Sequence, residues 1–528
     1  PHFIEHAEKI EALRVEFAKY KLSKSYFDYD DLLIYLKVLL DIDAIRKEVS
    51  AQYKYVMVDE YQDTNHLQGE IIALLGKEHH NVMAVGDDAQ SIYGFRGAHH
   101  QNILNFPQLF PDTKVIKLEA NYRSTQEILN MGNQVLEKMV HKFSKTLLSA
   151  SNRSGDDPSF YAFKEPAQEA VWIADKIVEY YHEGESLNEM AVLFRSSHLS
   201  FQVQTELAKR KLPFEMYGGK KFSDMAHVKD ILALLKLVVS PHDELAWNRI
   251  LMLLPGVGPK TASKMVESIQ SKGNLIEVHD YFKSFPDNKK FKTDLLFVSA
   301  GLVKAAEPDN LVISQYATLQ KAYGPILENK YDNWHQRAKD LETLSQIAGR
   351  YEKIDVLLAD FALEPPDRGV FEVNGVDAEE GKISLSTVHS AKGMEWGNVF
   401  VIGMIEGVFP TGYALKREET IAEEERLFYV AVTRAKDRLF LSMCHYGFSG
   451  GITQFNKVSR FVEHMKLEGE ENDYTSASYA GRNNHSGGGS YSDGDSYSGG
   501  YVHKKPKPTE KVNALTKEEL IKRVMGEL

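Results

Sequence analysis

The chain has 528 residues, of which 43% are hydrophobic and 26% charged, an ordinary balance for a globular protein with several domain cores. Its net charge of −12 provides no global basic field, although a local basic groove can still bind nucleic acid. A single cysteine, Cys444, excludes an intramolecular disulfide framework, a Cys-rich zinc site and a Cys-ligated iron–sulfur cluster. Because no membrane segment or signal-peptide pattern is present either, we expect a cytoplasmic protein.

Apolar periodicity predicts a parallel α/β protein. Apolar residues recur with helical spacing at 5–20 and 29–40. Further helices are predicted between the strands, for example at 167–181 and 225–239. Strands are predicted at 55–58, 81–88, 114–124 and 189–197. This alternation of strands and helices is typical of sheets whose strands run in parallel.

The pattern changes in the second half of the chain. Helical patterns dominate from about 241 to 365, and strands return at 383–388, 398–404 and 438–443. We therefore predict a helical insertion inside a second α/β domain. Beyond it we predict a flexible linker rich in Gly and Ser, a basic patch and a short amphipathic helix, at 469–502, 503–508 and 515–528.

The segment VMVDEYQDTN, residues 56–65, places Asp59 and Glu60 at the end of an apolar strand. Open α/β sheets bind their ligands at the carboxyl ends of strands. In a nucleotide-hydrolysing fold the first acid would hold Mg²⁺ and the second would orient water. Such a motif normally follows a P-loop, and none is found in the 55 residues before it.

The segment VGDDAQSIYGFRGA, residues 85–98, contains the end of a second predicted strand and the polar residues that follow it. Gln90 is placed to sense a γ-phosphate or to position water. Tyr93, Phe95 and Arg96 combine aromatic rings with a cation, which is the composition of a stacking platform for single-stranded bases. The alternative is that both rings are core residues, but the neighbouring glycines favour an exposed loop.

Three further segments each allow a phosphate or nucleotide contact. They are LEANYRST with Tyr122 and Arg123, STVHSAKGMEW with His389 and Glu395, and EEERLFYVAVTRAKDRL with Arg434. Arginine suits phosphate through its bidentate fork. Taken singly, each segment is equally compatible with a surface arginine, a polar loop or a solvated helix.

The segment LPGVGPKTASKM, residues 254–265, is not a P-loop, because the required Gly-Lys-Ser/Thr does not follow. It fits a helix–hairpin–helix turn, in which Gly256 and Gly258 let the backbone approach DNA phosphates and Lys260 adds a cation. A plain glycine-rich loop between helices is the alternative. The pairs His79–His80 and His99–His100 do not have the spacing of a metal site, so solvated histidines are expected.

Taken together and in this order, the segments resemble the motifs of superfamily 1A DNA helicases, the UvrD/PcrA/Rep family. DEYQD is similar to motif II, GDDAQSIYGFRGA to motif III, EANYRST to motif IV, TVHSAKGMEW to motif V and VAVTRAKDRL to motif VI. The resemblance spans about residues 26–465. It implies two RecA-like domains with ATP between them, single-stranded DNA across both, and 3′ to 5′ movement.

The resemblance also implies roles for individual residues. Asp59 would hold Mg²⁺, Glu60 would be the catalytic base, and Gln90, Arg123 and Arg434 would act on the γ-phosphate. Tyr122 would stack near the adenine and Glu395 would reach the ribose. The DNA contacts would be Tyr93, Phe95, Arg96 and His389, with Phe95 standing where the family usually has Trp, and the turn with Gly256, Gly258 and Lys260 would touch duplex DNA at single-strand/double-strand junctions.

The family's domain plan implies boundaries along this chain. Residues 1–25 would be the tail of a 1B-like helical subdomain and 26–112 part of RecA-like domain 1A. Domain 2A would comprise 113–240 and 381–467, interrupted by a helical 2B-like insertion at 241–380, and followed by the linker 468–508 and a terminal segment 509–528. The Q motif, the P-loop and the next two motifs would precede residue 1, so the chain is expected to be a fragment.

Three hypotheses follow. The first is an active ATP-dependent helicase or translocase in DNA repair or replication, represented here by part of its sequence. The second is a DNA-binding or scaffold protein without ATPase activity. A helicase–nuclease fusion is disfavoured, because the tail carries no carboxylate cluster in a folded context. The helix predicted at 515–528 could bind a protein partner or be a frayed tail.

Overall fold

The structure is a computed structural model that describes residues 6–463, except 141, 152, 220, 309, 363–380, 450 and 451. The described residues form two compact units. Unit 1 contains the residues up to 117 together with 142–144, and unit 2 contains 118–140 and the residues from 145 onward. No helix in the described part of the chain is long and apolar enough to cross a bilayer.

Unit 1 is a small α/β layer around two parallel strands. Side-chain caps fix the start of two of its helices, because Asp28 and Asn65 each accept a backbone N–H three residues on. The strands pair with Val56 opposite Val82 and Val58 opposite Ala84. The elements of unit 1 are α1 (Ala7–Lys24), α2 (Tyr29–Leu40), α3 (Asp43–Ser50), β1 (Val56–Val58), α4 (His66–Gly76), β2 (Val82–Ala84) and α5 (Gln101–Leu109).

The core of unit 1 lies on one side of these strands. Tyr61, Ile103, Phe106 and Phe110 are buried together, and Val58 and Val82 pack against them. Tyr61 meets Phe106 edge-on, with 5.4 Å between the ring centroids. This packing fixes the turn that directly follows Asp59 and Glu60.

The α/β part of unit 2 is built on a six-stranded sheet in which every pair of neighbouring strands is parallel. The strand order is β5-β10-β9-β6-β8-β7. Strand β6 is buried along its whole length, which explains its continuous apolar sequence MAVLF. The elements are β3 (Ala120–Asn121), α6 (Gln126–Lys138), β4 (Leu148–Ser149), β5 (Ser159–Phe163), α7 (Pro166–His182), β6 (Met190–Phe194), α8 (Phe201–Lys209) and β7 (Phe214–Tyr217).

A helical segment interrupts this sheet, as the sequence predicts. Its buried residues form a core of their own, which includes Trp247, Phe282, Tyr316 and Tyr323. The helices are α9 (Ala226–Val239), α10 (Glu244–Leu251), α11 (Pro259–Gln270), α12 (Leu275–Lys283), α13 (Lys292–Ala305), α14 (Val312–Lys330), α15 (Trp334–Ala348) and α16 (Ile354–Ala362).

The chain then returns to the sheet. The remaining elements are β8 (Ile383–Thr387), β9 (Trp396–Ile402), α17 (Glu418–Val432), β10 (Ala435–Cys444), β11 (Tyr446–Ser449) and β12 (Ile452–Phe455). The predictions of α/β architecture and of a helical insertion are confirmed. The division into 1A, 2A and 2B segments stays a prediction.

The predicted strand at 114–124 is wrong over most of its length, since only Ala120–Asn121 forms a strand. Residues 114–119 carry a strand-like apolar pattern, but Ile116 and Leu118 are exposed and no strand in the described part of the chain pairs with them. A β pattern without a neighbouring strand has no ladder to join. The linker and terminal helix predicted beyond residue 467 lie outside the described residues, as does part of the predicted insertion, 363–380.

Candidate functional site

Two carboxylates lie at the carboxyl end of β1 in unit 1. Asp59 and Glu60 are both exposed, and Oδ1 of Asp59 accepts the N–H of Glu60 at 2.9 Å. Glu60 adopts a left-handed backbone, with φ of 49° and ψ of 40°, where the strand turns into the segment Tyr61–Asp63. A left-handed conformation is uncommon for a residue other than glycine and is a feature of functional sites.

Buried Gln62 ties this acidic pair to the end of β2. Its Nε2 donates to Oε2 of Glu60 at 2.5 Å, and its Oε1 accepts the N–H of Asp87 at 3.1 Å. A Cβ atom added to Gly86 would lie 2.2 Å from Oε1 of Gln62, so only glycine allows this approach. Gln62 was not predictable from the sequence, since an amide side chain becomes a link only once both strand ends are placed.

Gln90 belongs to the same polar cluster. Its Nε2 donates to Oδ2 of Asp87 at 2.8 Å, while Oδ1 of Asp87 accepts the N–H of Ala89 at 3.0 Å. The structure therefore links Glu60 to Gln90 through Gln62 and Asp87. Asp88, the other acid after β2, is buried instead and accepts the N–H of Phe143 at 3.0 Å.

The chemistry of this cluster fits a hard divalent cation with a partial protein shell. No group of three or more His, Cys, Asp or Glu side chains in the described part of the chain could hold a metal by itself. Mg²⁺ is commonly bound by only one or two carboxylates, with water and phosphate oxygens completing its octahedron. The exposed carboxylate of Asp59 fits that kind of site.

An exposed aromatic and cationic group follows in the same unit. Phe95 is 65% exposed, Tyr93 is half-buried, and their ring centroids lie 6.2 Å apart. The guanidinium carbon of Arg96 lies 5.5 Å from the Tyr93 centroid and 5.4 Å from that of Phe95. Neither ring is part of the buried core, so the alternative of two core aromatics is wrong for this loop.

In unit 2 the structure brings Arg123, Glu395 and Arg434 together. Asn121 turns the chain after β3, because its Oδ1 accepts the N–H groups of Arg123 and Ser124, both at 2.9 Å. Nε of Arg123 donates to Glu395, and Nη1 of Arg123 donates to the carbonyl of Thr433 at 3.3 Å.

The charges around Glu395 control its ionisation. Partial burial alone would raise its pKa, but the hydrogen bond from Arg123 and the charges of Arg123, Lys436 and Arg434 hold the pKa below its ordinary value. Glu395 is therefore a carboxylate at neutral pH. Tyr122 precedes this cluster, and its side chain is 77% exposed.

Arg434 differs from Arg123 in being buried. Its Nε donates to the carbonyl of Val430 at 3.1 Å, and its Nη1 donates to that of Met394 at 3.0 Å. These bonds tie the end of α17 to the loop before β9. His389 lies on the turn after β8 and is half-buried.

The turn between α10 and α11 contains the segment predicted as a helix–hairpin–helix turn. Leu254 and Val257 are buried and anchor it, while Gly256 adopts a φ of +83°. Gly258 is the N-cap of α11, and Cβ atoms added to either glycine would meet open space. Lys260 is exposed in the first turn of the helix, so backbone N–H groups and a cation are both accessible there.

Comparison with known proteins finds two family matches and several relatives. The family described as UvrD/REP helicase N-terminal domain matches residues 4–111, and the family described as UvrD-like helicase C-terminal domain matches residues 116–446. The ATP-dependent DNA helicase PcrA of Staphylococcus epidermidis strain RP62A is 30% identical over 480 residues. PcrA of Staphylococcus aureus strain Mu50 has the same identity over the same length. Both alignments cover 87% of this chain and 64% of the relative.

Proposed function

Since the chain belongs to the UvrD-like helicase family, we propose that it acts as an ATP-dependent DNA helicase that moves 3′ to 5′ on single-stranded DNA. The chain spans 64% of the length of the curated relatives it matches. The helicase activity named for those relatives is therefore assigned to this chain as a proposal. A role in DNA repair or replication and a cytoplasmic location belong to the same proposal.

The observation that carries the proposal is the acidic cluster of unit 1. Asp59 would hold Mg²⁺, which would supply positive charge against the phosphates of ATP, and Glu60 would accept a proton from the attacking water. Gln62 holds the Glu60 carboxylate at 2.5 Å and so fixes the direction of the base. Gln90 would contact the γ-phosphate, and its hydrogen bond to Asp87 joins it to the same cluster.

In unit 2 we assign Arg123 and Arg434 the role of stabilising the negative charge that develops on the transferred phosphoryl group. Glu395 orients Arg123 and would reach the ribose, and exposed Tyr122 would stack on the adenine. In this role Arg434 exchanges its carbonyl partners, Val430 and Met394, for phosphate oxygens. The proposal is that these residues and the acids of unit 1 act in one hydrolysis cycle.

We assign single-stranded DNA to the group formed by Tyr93, Phe95 and Arg96, with His389 as a further contact. Exposed rings beside an arginine stack on bases of any sequence. The turn with Gly256, Gly258 and Lys260 would bind the backbone of duplex DNA at a junction. A protein partner for residues 515–528 stays a prediction.

The test is ATP turnover by the protein as its gene encodes it, with and without single-stranded DNA. Glu60→Gln removes the proposed base and should reduce DNA-stimulated turnover by at least about a hundredfold, while DNA binding persists. Glu48→Gln, at an exposed position of α3, is the matched control and should leave turnover unchanged. DNA binding without any turnover in the unmodified protein would favour the scaffold hypothesis and reject the helicase.

A further inference from the structure

A cavity in unit 1 lies at the opposite end of β1 and β2 from Asp59. It has a volume of about 520 Å³ and lies between the end of α3, the segment leading into β1 and the turn before β2. A cavity of this volume is large enough for a nucleotide-sized ligand. None of its lining residues belongs to the motifs that the helicase proposal uses.

Two polar atoms in this cavity are buried and have no hydrogen-bond partner in the described part of the chain, namely Oγ of Ser50 and Nε2 of His79. The side chain of Ser50 is only 1% exposed. Nδ1 of His79 accepts the N–H of Asn81 at 3.0 Å, so the proton of the neutral ring is on Nε2. The side chain of His79 as a whole is half-buried, and its Nε2 atom is covered. Because both atoms lie within the cavity wall and are almost inaccessible, only a small buried molecule such as water could satisfy them.

The charge of the cavity selects an anion. Lys47 and Lys54 line it, and neither forms a salt bridge with another described residue. The one carboxylate in the lining, Glu78, is already paired with Nε of Arg46 at 3.0 Å. The two lysines therefore leave an excess of positive charge beside the donors of Ser50 and His79.

The remaining lining is aromatic. Tyr53 and Tyr55 both border the cavity and are 52% and 68% exposed, which is a large apolar area to leave in water. The side chain of Asn81 donates to the carbonyl of Lys54 at 3.1 Å and holds the segment that carries both rings. Planar rings beside cations accept a base by stacking and its phosphate by charge.

We propose that this cavity binds a nucleotide unit as a second site, separate from the ATP residues. Lys47 and Lys54 contact the phosphate, and the rings of Tyr53 and Tyr55 stack on the base. The same chemistry is offered by one nucleotide of a single strand and by a free nucleoside monophosphate. The proposal goes beyond helicase activity and does not depend on ATP hydrolysis.

Photo-crosslinking separates this site from the proposed primary DNA site. The protein is irradiated with a short oligothymidylate that contains 4-thiothymidine, and crosslinked residues are mapped by mass spectrometry. We expect crosslinks at Tyr53 or Tyr55 in addition to those at Tyr93 or Phe95. Lys47→Gln/Lys54→Gln should reduce the yield at Tyr53 and Tyr55 by about tenfold and leave the yield at Tyr93 and Phe95 unchanged.

Matched variants test whether the loss is local. Lys9→Gln/Lys24→Gln removes two exposed lysines of α1 and should change neither yield, while Lys47→Arg/Lys54→Arg should retain the crosslinks. Loss of the Tyr53 and Tyr55 crosslinks on addition of thymidine 5′-monophosphate supports a free nucleotide as ligand, and their persistence supports a strand.

Three results would overturn the proposal: no crosslink at Tyr53 or Tyr55, a yield insensitive to Lys47→Gln/Lys54→Gln, or equal competition by inorganic phosphate. Each would mean that the cavity holds water or an unspecific anion. Crosslinking here by a protein that does not hydrolyse ATP would reject the helicase activity and leave the second site intact.

Discussion

Single side chains decide how the acidic cluster of unit 1 is held. Gln62 is buried and joins Glu60 to the backbone of Asp87, so Gln62→Leu leaves the N–H of Asp87 without its acceptor. We expect a loss of about 1–3 kcal/mol in the free energy of unfolding of unit 1. Turnover of ATP should fall by roughly tenfold to a hundredfold, because the carboxylate of Glu60 loses its orientation.

Urea unfolding and steady-state ATPase rates measure these two effects. Gln52→Leu is the control, since the side chain of Gln52 is exposed in the same unit and forms no hydrogen bond with another described residue. Equal stability and rate for Gln62→Leu and the unmodified protein would show that the link through Gln62 has no energetic role.

Arg123 and Glu395 allow a prediction about ionisation. Partial burial opposes the charged form of Glu395, whereas the hydrogen bond from Arg123 and the nearby cations favour it. Together the favourable effects are larger, so the pKa of Glu395 is lowered. A lowered pKa contributes stability that is present above the ordinary value of 4.5 and is lost as pH falls through the lowered pKa. We expect Arg123→Gln to raise the pKa of Glu395, as followed by NMR of the labelled carboxyl carbon.

The control for Arg123→Gln is Arg460→Gln, which removes the partner of Glu406 elsewhere in unit 2. It should leave the titration of Glu395 unchanged. If both variants gave the same titration midpoint as the unmodified protein, Arg123 would not be the group that stabilises the carboxylate.

At the scale of elements, the contact between α7 and β10 contains a buried acid. Burial raises the pKa of Glu169 to about 7, although Oγ of Ser442 donates to it at 2.6 Å. A raised pKa contributes stability that is fully present below 4.5 and is lost as pH rises through about 7. The shift corresponds to about 3 kcal/mol.

We therefore expect the free energy of unfolding of unit 2 to decrease by about 3 kcal/mol more in the unmodified protein than in Glu169→Gln when the pH rises from below 4.5 to mildly basic values. Denaturant titrations at several pH values measure the difference. Glu183→Gln, just beyond the end of the same helix, is the control and should retain the full dependence. If the free energy of unfolding of Glu169→Gln depended on pH as it does in the unmodified protein, groups other than Glu169 would be responsible for that dependence.

Elements also show what the sequence can and cannot predict. Strands β6 and β9 were predictable because burial on both faces leaves continuous apolar runs, MAVLF in β6 and VFVI in β9. Residues 114–119, KVIKLE, also carry a strand-like apolar pattern, but none of the described strands pairs with them, and a pattern does not specify its partner. The pairing of Arg123 with Glu395 joins positions 272 residues apart, so the fold was needed to find it.

At the scale of the whole molecule, the two units differ in the size of their cores. Unit 1 has a two-stranded sheet and a small buried cluster around Tyr61 and Phe106, whereas unit 2 has six parallel strands and two large apolar clusters. Free energy of local opening follows buried apolar area and protected backbone hydrogen bonds. We expect unit 1 of the 528-residue chain to unfold at a lower denaturant concentration than unit 2.

The sequence provides selective probes for this prediction. All four tryptophans, Trp172, Trp247, Trp334 and Trp396, lie in unit 2, so tryptophan fluorescence follows that unit alone. Hydrogen exchange of the amides in β1 and β2 follows unit 1. We expect these amides to lose protection before the fluorescence changes, and before the amides of β6 and β9 exchange. Coincident transitions for both probes would mean that the two cores unfold as one cooperative unit, because a single transition reports no intermediate with only one core intact.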